Sequence, residues 1–176
     1  MKITLTLDSI ALLLYCSELY YMEEEPFTMK EWDYLEKKIK KSQLKRPSGL
    51  IGLSKEQLAL QLDINSEMIE KLTMMNSKLS DLMVQLAKLE NLGIGITTKY
   101  EENYPALLKM KLKKNSPLIL YYMGNYDLLN SSMIYVTGPI KTNATMISNT
   151  KKITDKLFDE GYTLISSNSR GVENHS

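Results

Sequence analysis

The chain has one cysteine and one histidine in 176 residues. Cys16 therefore has no internal disulfide partner, and nothing shows the Cys/His spacing of a zinc site. A reducing cytoplasm is the expected compartment, and neither a metal nor another cofactor is expected. There is no G-x-G-x-x-G and no P-loop, so ordinary dinucleotide or ATP use lacks support. Long apolar runs are also missing. The most apolar stretch, residues 10–22, contains Ser17 and Glu18 and falls short of the roughly 18 to 20 residues of a membrane span. It reads as a core helix. A basic start with an apolar run and a small-x-small cleavage site is absent, as are internal repeats. The net charge of +1 excludes a global polyelectrolyte argument, so any nucleic-acid contact must come from a local patch.

What is present is enough for a core: 43% hydrophobic and 24% charged residues, the composition of a globular protein. Asp8-Ser9 is a plausible N-cap for an almost wholly apolar helix. Glu23-Glu24-Glu25-Pro26 ends it. Thr28 and Glu31 have capping-box spacing, and Trp32, Leu35 and Ile39 form one stripe of a second helix. The end of that helix is basic, with Lys37, Lys38, Lys40, Lys41, Lys45 and Arg46 in ten residues. This is either a phosphate-contacting patch or a solvated helix end favoured by the dipole, and the second weighs more. Ser54 and Gln57 repeat the capping box.

Leu58, Leu62, Ile64 and Ile69 resemble the skeleton of a helix-turn-helix. The would-be recognition helix offers Glu67, Glu70 and Lys71, a poor set for reading bases, so a helical bundle is the better reading. Apolar positions from Ser66 to Leu92 imply one long helix, bent near Asn76-Ser77. Five methionines between Met68 and Met110 read as packing. Gly93 closes the helical half, and β-prone residues follow, which places a domain boundary near 92–100.

Leu107, Leu108 and Leu112 mark a short helix that carries Lys109, Lys111, Lys113 and Lys114, a second basic cluster. Residues 117–123 form a strand candidate. Met133 to Thr137, Gly138, a helix over 143–160, Gly161 and Tyr162 to Ser166 then spell strand, turn, helix, turn, strand. That is one β-α-β unit, whose two post-strand loops open on the same edge. Ligands of such folds bind at that edge.

The motifs Tyr104-Pro105-Ala106-Leu107-Leu108, Pro117 to Tyr121 with Gly124, Gly138, and Ser166 to Glu173 resemble the DNA-processing protein A (Smf/DprA) family. The family pattern is Y-P-x-x-L, P-x-x-L-Y-x-x-G, V-G-S-R and S-G-x-A-x-G-I-D. Phe27 to Trp32 also resembles the L-T-x-x-E-W helix of one branch. The resemblance implies an α/β chain: a helical N-terminal domain, residues 1–92, then the N-terminal portion of a parallel-sheet Rossmann-like domain, 93–176. It also implies a non-enzymatic protein that binds single-stranded DNA and loads a RecA-type recombinase in transformation or repair, without a membrane partner.

Departures from the pattern fall in the turns. Pro139 and Ile140 replace Ser and Arg, Thr145 and Met146 replace Tyr and Gly, Ser167 replaces Gly, and Glu173 replaces Asp. Losing an arginine–phosphate contact weakens binding by about 1–3 kcal/mol, and Pro139 removes one N–H from an anion cradle. Lys141 restores some charge. The nucleic-acid-binding set expected from the turns is Gly138, Lys141, Thr142, Asn143, Ser166, Arg170 and Gly171. No catalytic residue is expected; His175 has no acid or nucleophile placed beside it. The family's later strands have no counterpart before Ser176. The chain thus reads as a fragment, a truncated product, or a chain completing its sheet with a partner, a homodimer if a second copy supplies the missing part. A nucleotide-sensing module of the same superfamily and a non-catalytic interaction scaffold are the alternatives.

Overall fold

Five consecutive residues of the first helix, Ala11 to Tyr15, are fully buried, and the N-terminal unit is built round them. Helix α1, Leu7–Cys16, is apolar on all sides and is stable only at the centre of a core. Its N-cap is Thr6, which accepts from the Ser9 N–H. The expected cap, Asp8-Ser9, is used elsewhere: Asp8 accepts from the Ser48 N–H at 2.9 Å, and the Ser9 hydroxyl bonds Thr98 and Glu101. The structure is a computed structural model in which residues 4–21 and 24–167 are described.

Helix α2, Met29–Lys41, starts at the expected Thr28–Glu31 capping box. Its stripe of Trp32, Leu35 and Ile39 is fully buried, and Trp32 stacks on Tyr15 with ring centroids 6.0 Å apart. A 3-10 turn, Pro47–Leu50, leads to α3, Lys55–Gln61, with the Ser54–Gln57 box in place. Next come α4, Ser66–Asn76, and α5, Leu79–Asn91. The single long helix expected over 66–92 is thus two helices. Asn76 ends the first because its side chain is committed to another part of the core. Its amide nitrogen donates to the Leu50 and Leu53 carbonyls at 3.0 and 3.1 Å. Its oxygen accepts from the Tyr15 hydroxyl at 2.6 Å and the Gly52 N–H at 3.3 Å. The Ser77 and Lys78 N–H groups then fold back on Met74 and Met75. Buried Leu58, Leu62, Ile69 and Leu72 make the α3–α4 pair part of the bundle, and Glu70 on α4 pairs with Lys55 at 2.7 Å.

Strand β1, Ile94–Thr98, pairs antiparallel with β2, Ile119–Met123, with Ile96 opposite Tyr121. Ile96 joins the helical core. Between the strands lie α6, Ala106–Leu112, and a 3-10 turn, Lys113–Asn115. Polar contacts also tie the hairpin to the helices. Thr6 N–H donates to Glu101 at 2.8 Å, and Ser9 and Thr98 hydroxyls lie 2.7 Å apart. Trp32 Nε1–H donates to the Tyr100 hydroxyl at 3.1 Å, which donates to Glu36 at 2.9 Å. Lys99 closes the network on Glu36 at 3.0 Å.

The chain divides into two compact units, Met1–Gly124 and Asn125–Ser176. The second contains a 3-10 turn, Tyr126–Asn130, β3, Met133–Tyr135, α7, Ala144–Asp159, and β4, Thr163–Ile165. Strands β3 and β4 are parallel. The architecture is therefore α/β, helical first and with a parallel pair after it. The change from helical to β-prone sequence near 92 and the division at 124 mark different things: β1 changes the secondary structure but adds to the helical core. No helix among the described residues is long and apolar enough to cross a membrane.

Candidate nucleic-acid interface

The parallel register sets the edge. Met133 lies opposite Thr163, Ile134 opposite Leu164 and Tyr135 opposite Ile165, so both strands end side by side. The chain leaves β3 into the loop over 136–143 and leaves β4 at Ser166, both from that edge. Below it, the Thr163 N–H donates to the Ser132 carbonyl at 2.9 Å, and the Ser131 hydroxyl bonds the Thr163 hydroxyl at 2.6 Å.

Helix α7 returns the chain between the strands. Asn143 is its N-cap and accepts from the Met146 N–H at 2.9 Å. Thr150 and Thr154 lie buried along it, and their hydroxyls bond back to carbonyls one turn earlier. The helix ends in a Schellman motif: the Gly161 N–H donates to Phe158 at 2.9 Å and the Tyr162 N–H to Leu157 at 3.0 Å. Gly161 has φ 82°, the left-handed conformation that this cap requires. Two tight ends thus aim the α7 N-terminus and its partial positive charge at the strand-end edge.

Of the expected set, the structure brings Gly138, Lys141, Thr142, Asn143 and Ser166 to this edge. Arg170 and Gly171 lie outside the described residues, as do Glu173 and His175. Gly138, Lys141, Asn143 and Ser166 are exposed, and Thr142 is half-buried. Asn143 uses its side-chain oxygen as the helix cap. Among the described residues no carboxylate pairs with Lys141. The glycines with positive φ are Gly52, Gly93, Gly124 and Gly161. Gly138 is not among them. The exposed Ile140 offers no bond to an anion where an arginine would.

No three His, Cys, Asp or Glu side chains converge as a metal site among the described residues. Burial pushes the Cys16 thiol well above the ordinary thiol range, against the opposing charges of Lys99 and Lys71, so it is not an activated nucleophile.

The first two motifs touch, which their spacing alone does not reveal. Tyr104 is buried, and its hydroxyl donates to the Pro117 carbonyl at 2.8 Å. The Y-P motif thereby closes the excursion through α6 onto the start of the P-x-x-L-Y motif. A signal existed in the sequence: a tyrosine and a proline recurring together as motif anchors.

The arrangement defines a class: a helical unit leading into a β-α-β element whose strand-end loops and helix N-terminus suit a phosphate. Residues 95–176 match the family model described as DNA recombination-mediator protein A. That stretch is similar to the DNA-processing protein A family that its motifs resemble. Searches of curated proteins and of solved structures gave no match.

Proposed function

We propose that the chain binds single-stranded DNA through the edge formed by Gly138, Lys141, Thr142, Asn143 and Ser166, with Arg170 and Gly171, which lie outside the described residues, completing the set expected from the sequence. Its role is that of a non-enzymatic mediator in DNA recombination, passing the strand to a RecA-type recombinase. The observation that carries this reading is the β3–β4 register, which sets the loop before α7 beside the end of β4. Phosphate oxygens would be held by helix N-terminal and turn N–H groups and by the Lys141 ammonium, with no base-specific contact. The family description supports the recombination role.

The test is oligonucleotide binding followed by fluorescence anisotropy as salt rises. Binding should be strong at low salt and weaken linearly on a log–log plot, by about 0.7 in slope for each phosphate neutralised. Lys141→Gln should lower both affinity and slope. Binding that is indifferent to salt would overturn phosphate capture. Thermal stabilisation by a mononucleotide but not by oligonucleotides would instead identify a nucleotide sensor.

A further inference from the structure

A second concentration of positive charge lies in the N-terminal unit, on α6 and the turn after it. Lys109, Lys111, Lys113 and Lys114 are all exposed, and none of them forms an ion pair among the described residues. The basic end of α2 is different. There Lys38 sits 2.6 Å from Asp63 and Lys40 3.4 Å from Glu36, so part of its charge is answered within the fold. On α6 four like charges fall within six residues and repel one another without compensation.

The backbone adds a second observation. Lys113 has φ 51° and ψ −118°, a conformation that suits glycine and strains a residue with a Cβ. The turn is held there by Ser116, whose N–H and hydroxyl both donate to the Lys113 carbonyl, at 3.1 and 2.8 Å. A lysine kept at a glycine position, beside three other unanswered lysines, works against stability twice. Such a segment is expected where the missing counter-charge comes from a ligand.

We propose that α6 and its following turn form a contact for the backbone of single-stranded nucleic acid, additional to the strand-end edge. Lysine ammonium groups are point charges that take phosphates without reading bases. Leu107, before the lysines, and Met110 and Leu112, between them, are exposed, which makes an anionic bilayer the competing polyanion. Helix α6 has only seven residues, however, so the apolar area it could bury in a bilayer is small, and bilayer binding scales with that area; nucleic acid is the better fit. The inference rests on the nucleic-acid reading above but uses residues of a different unit.

The experiment measures anisotropy of a labelled oligo-dT with the full chain across a salt series. It compares Lys109→Gln/Lys111→Gln/Lys114→Gln, Lys113→Gly and Lys141→Gln with the unaltered protein. The triple variant should lose about tenfold or more in affinity at low salt and about 2 in log–log slope. Lys113→Gly should raise the melting temperature while weakening binding, opposite movements that a purely structural role does not produce. Unchanged affinity and slope in the α6 variants, with loss in Lys141→Gln, would overturn this proposal and leave the strand-end reading standing. Loss confined to the α6 variants would support it and overturn that reading. Absence of oligonucleotide binding by the unaltered chain at the lowest salt overturns both. If the triple variant loses only its binding to phosphatidylserine vesicles, the patch is a membrane contact and the proposal fails.

Discussion

Glu36 shows how single residues hold the hairpin to the helices. Burial pushes its carboxyl up, but hydrogen bonds and charge from Lys99, the Tyr100 hydroxyl and Lys40 outweigh that and hold it below the ordinary value. The same burial, together with the Glu36 charge, drives the Tyr100 phenol upward. A carboxylate with a depressed folded pKa contributes stability above its unfolded value and loses it as pH falls through the folded one. Glu36→Gln should therefore destabilise the chain at neutral pH by about 1 kcal/mol after solvent screening. The gap should close as pH falls below about 4. Melting temperatures of both proteins from pH 7 to pH 3 check this; a gap that persists at low pH would assign the effect to packing.

At the scale of elements, helix ends were the most legible features. The Thr28–Glu31 and Ser54–Gln57 boxes cap α2 and α3 where their spacing says, because a cap depends on four neighbouring residues. Gly161 likewise stops α7. Nothing lies within 4 Å of where its Cβ would be, so Gly161→Ala should cost only backbone strain, about 1–2 kcal/mol. Chemical denaturation of the β-α-β element, followed by far-UV circular dichroism, would measure it; a neutral result would show that the Schellman turn is not what ends the helix. The break after Asn76 was not legible. Its cause lies in Leu50, Leu53, Gly52 and Tyr15, from 23 to 61 residues away in sequence. No local pattern encodes such a partner.

For the whole molecule, burial is uneven. The fully or nearly buried apolar residues all belong to Met1–Gly124, while in the second unit the buried side chains among the described residues are Thr150 and Thr154. Tyr135, Ile153, Phe158 and Ile165 are exposed there, although parallel strands usually have both faces covered. A chain ending at Gly124 should accordingly unfold cooperatively, with a melting temperature within a few degrees of the full chain. Loss of cooperativity on that truncation would show that the N-terminal core depends on the β-α-β unit.

Helix starts, the β-α-β order and the motif spacing that resembles the family pattern were readable from the sequence, since these depend on near neighbours and on which residues tolerate a turn. Only the tertiary structure decided that β1 pairs antiparallel with β2 and completes a helical core. It alone decided that Tyr104 closes onto Pro117, and that the loop before α7 lies beside the end of β4. Strand pairing and side-chain capture join residues distant along the chain, and the balance of burial between competing surfaces selects them.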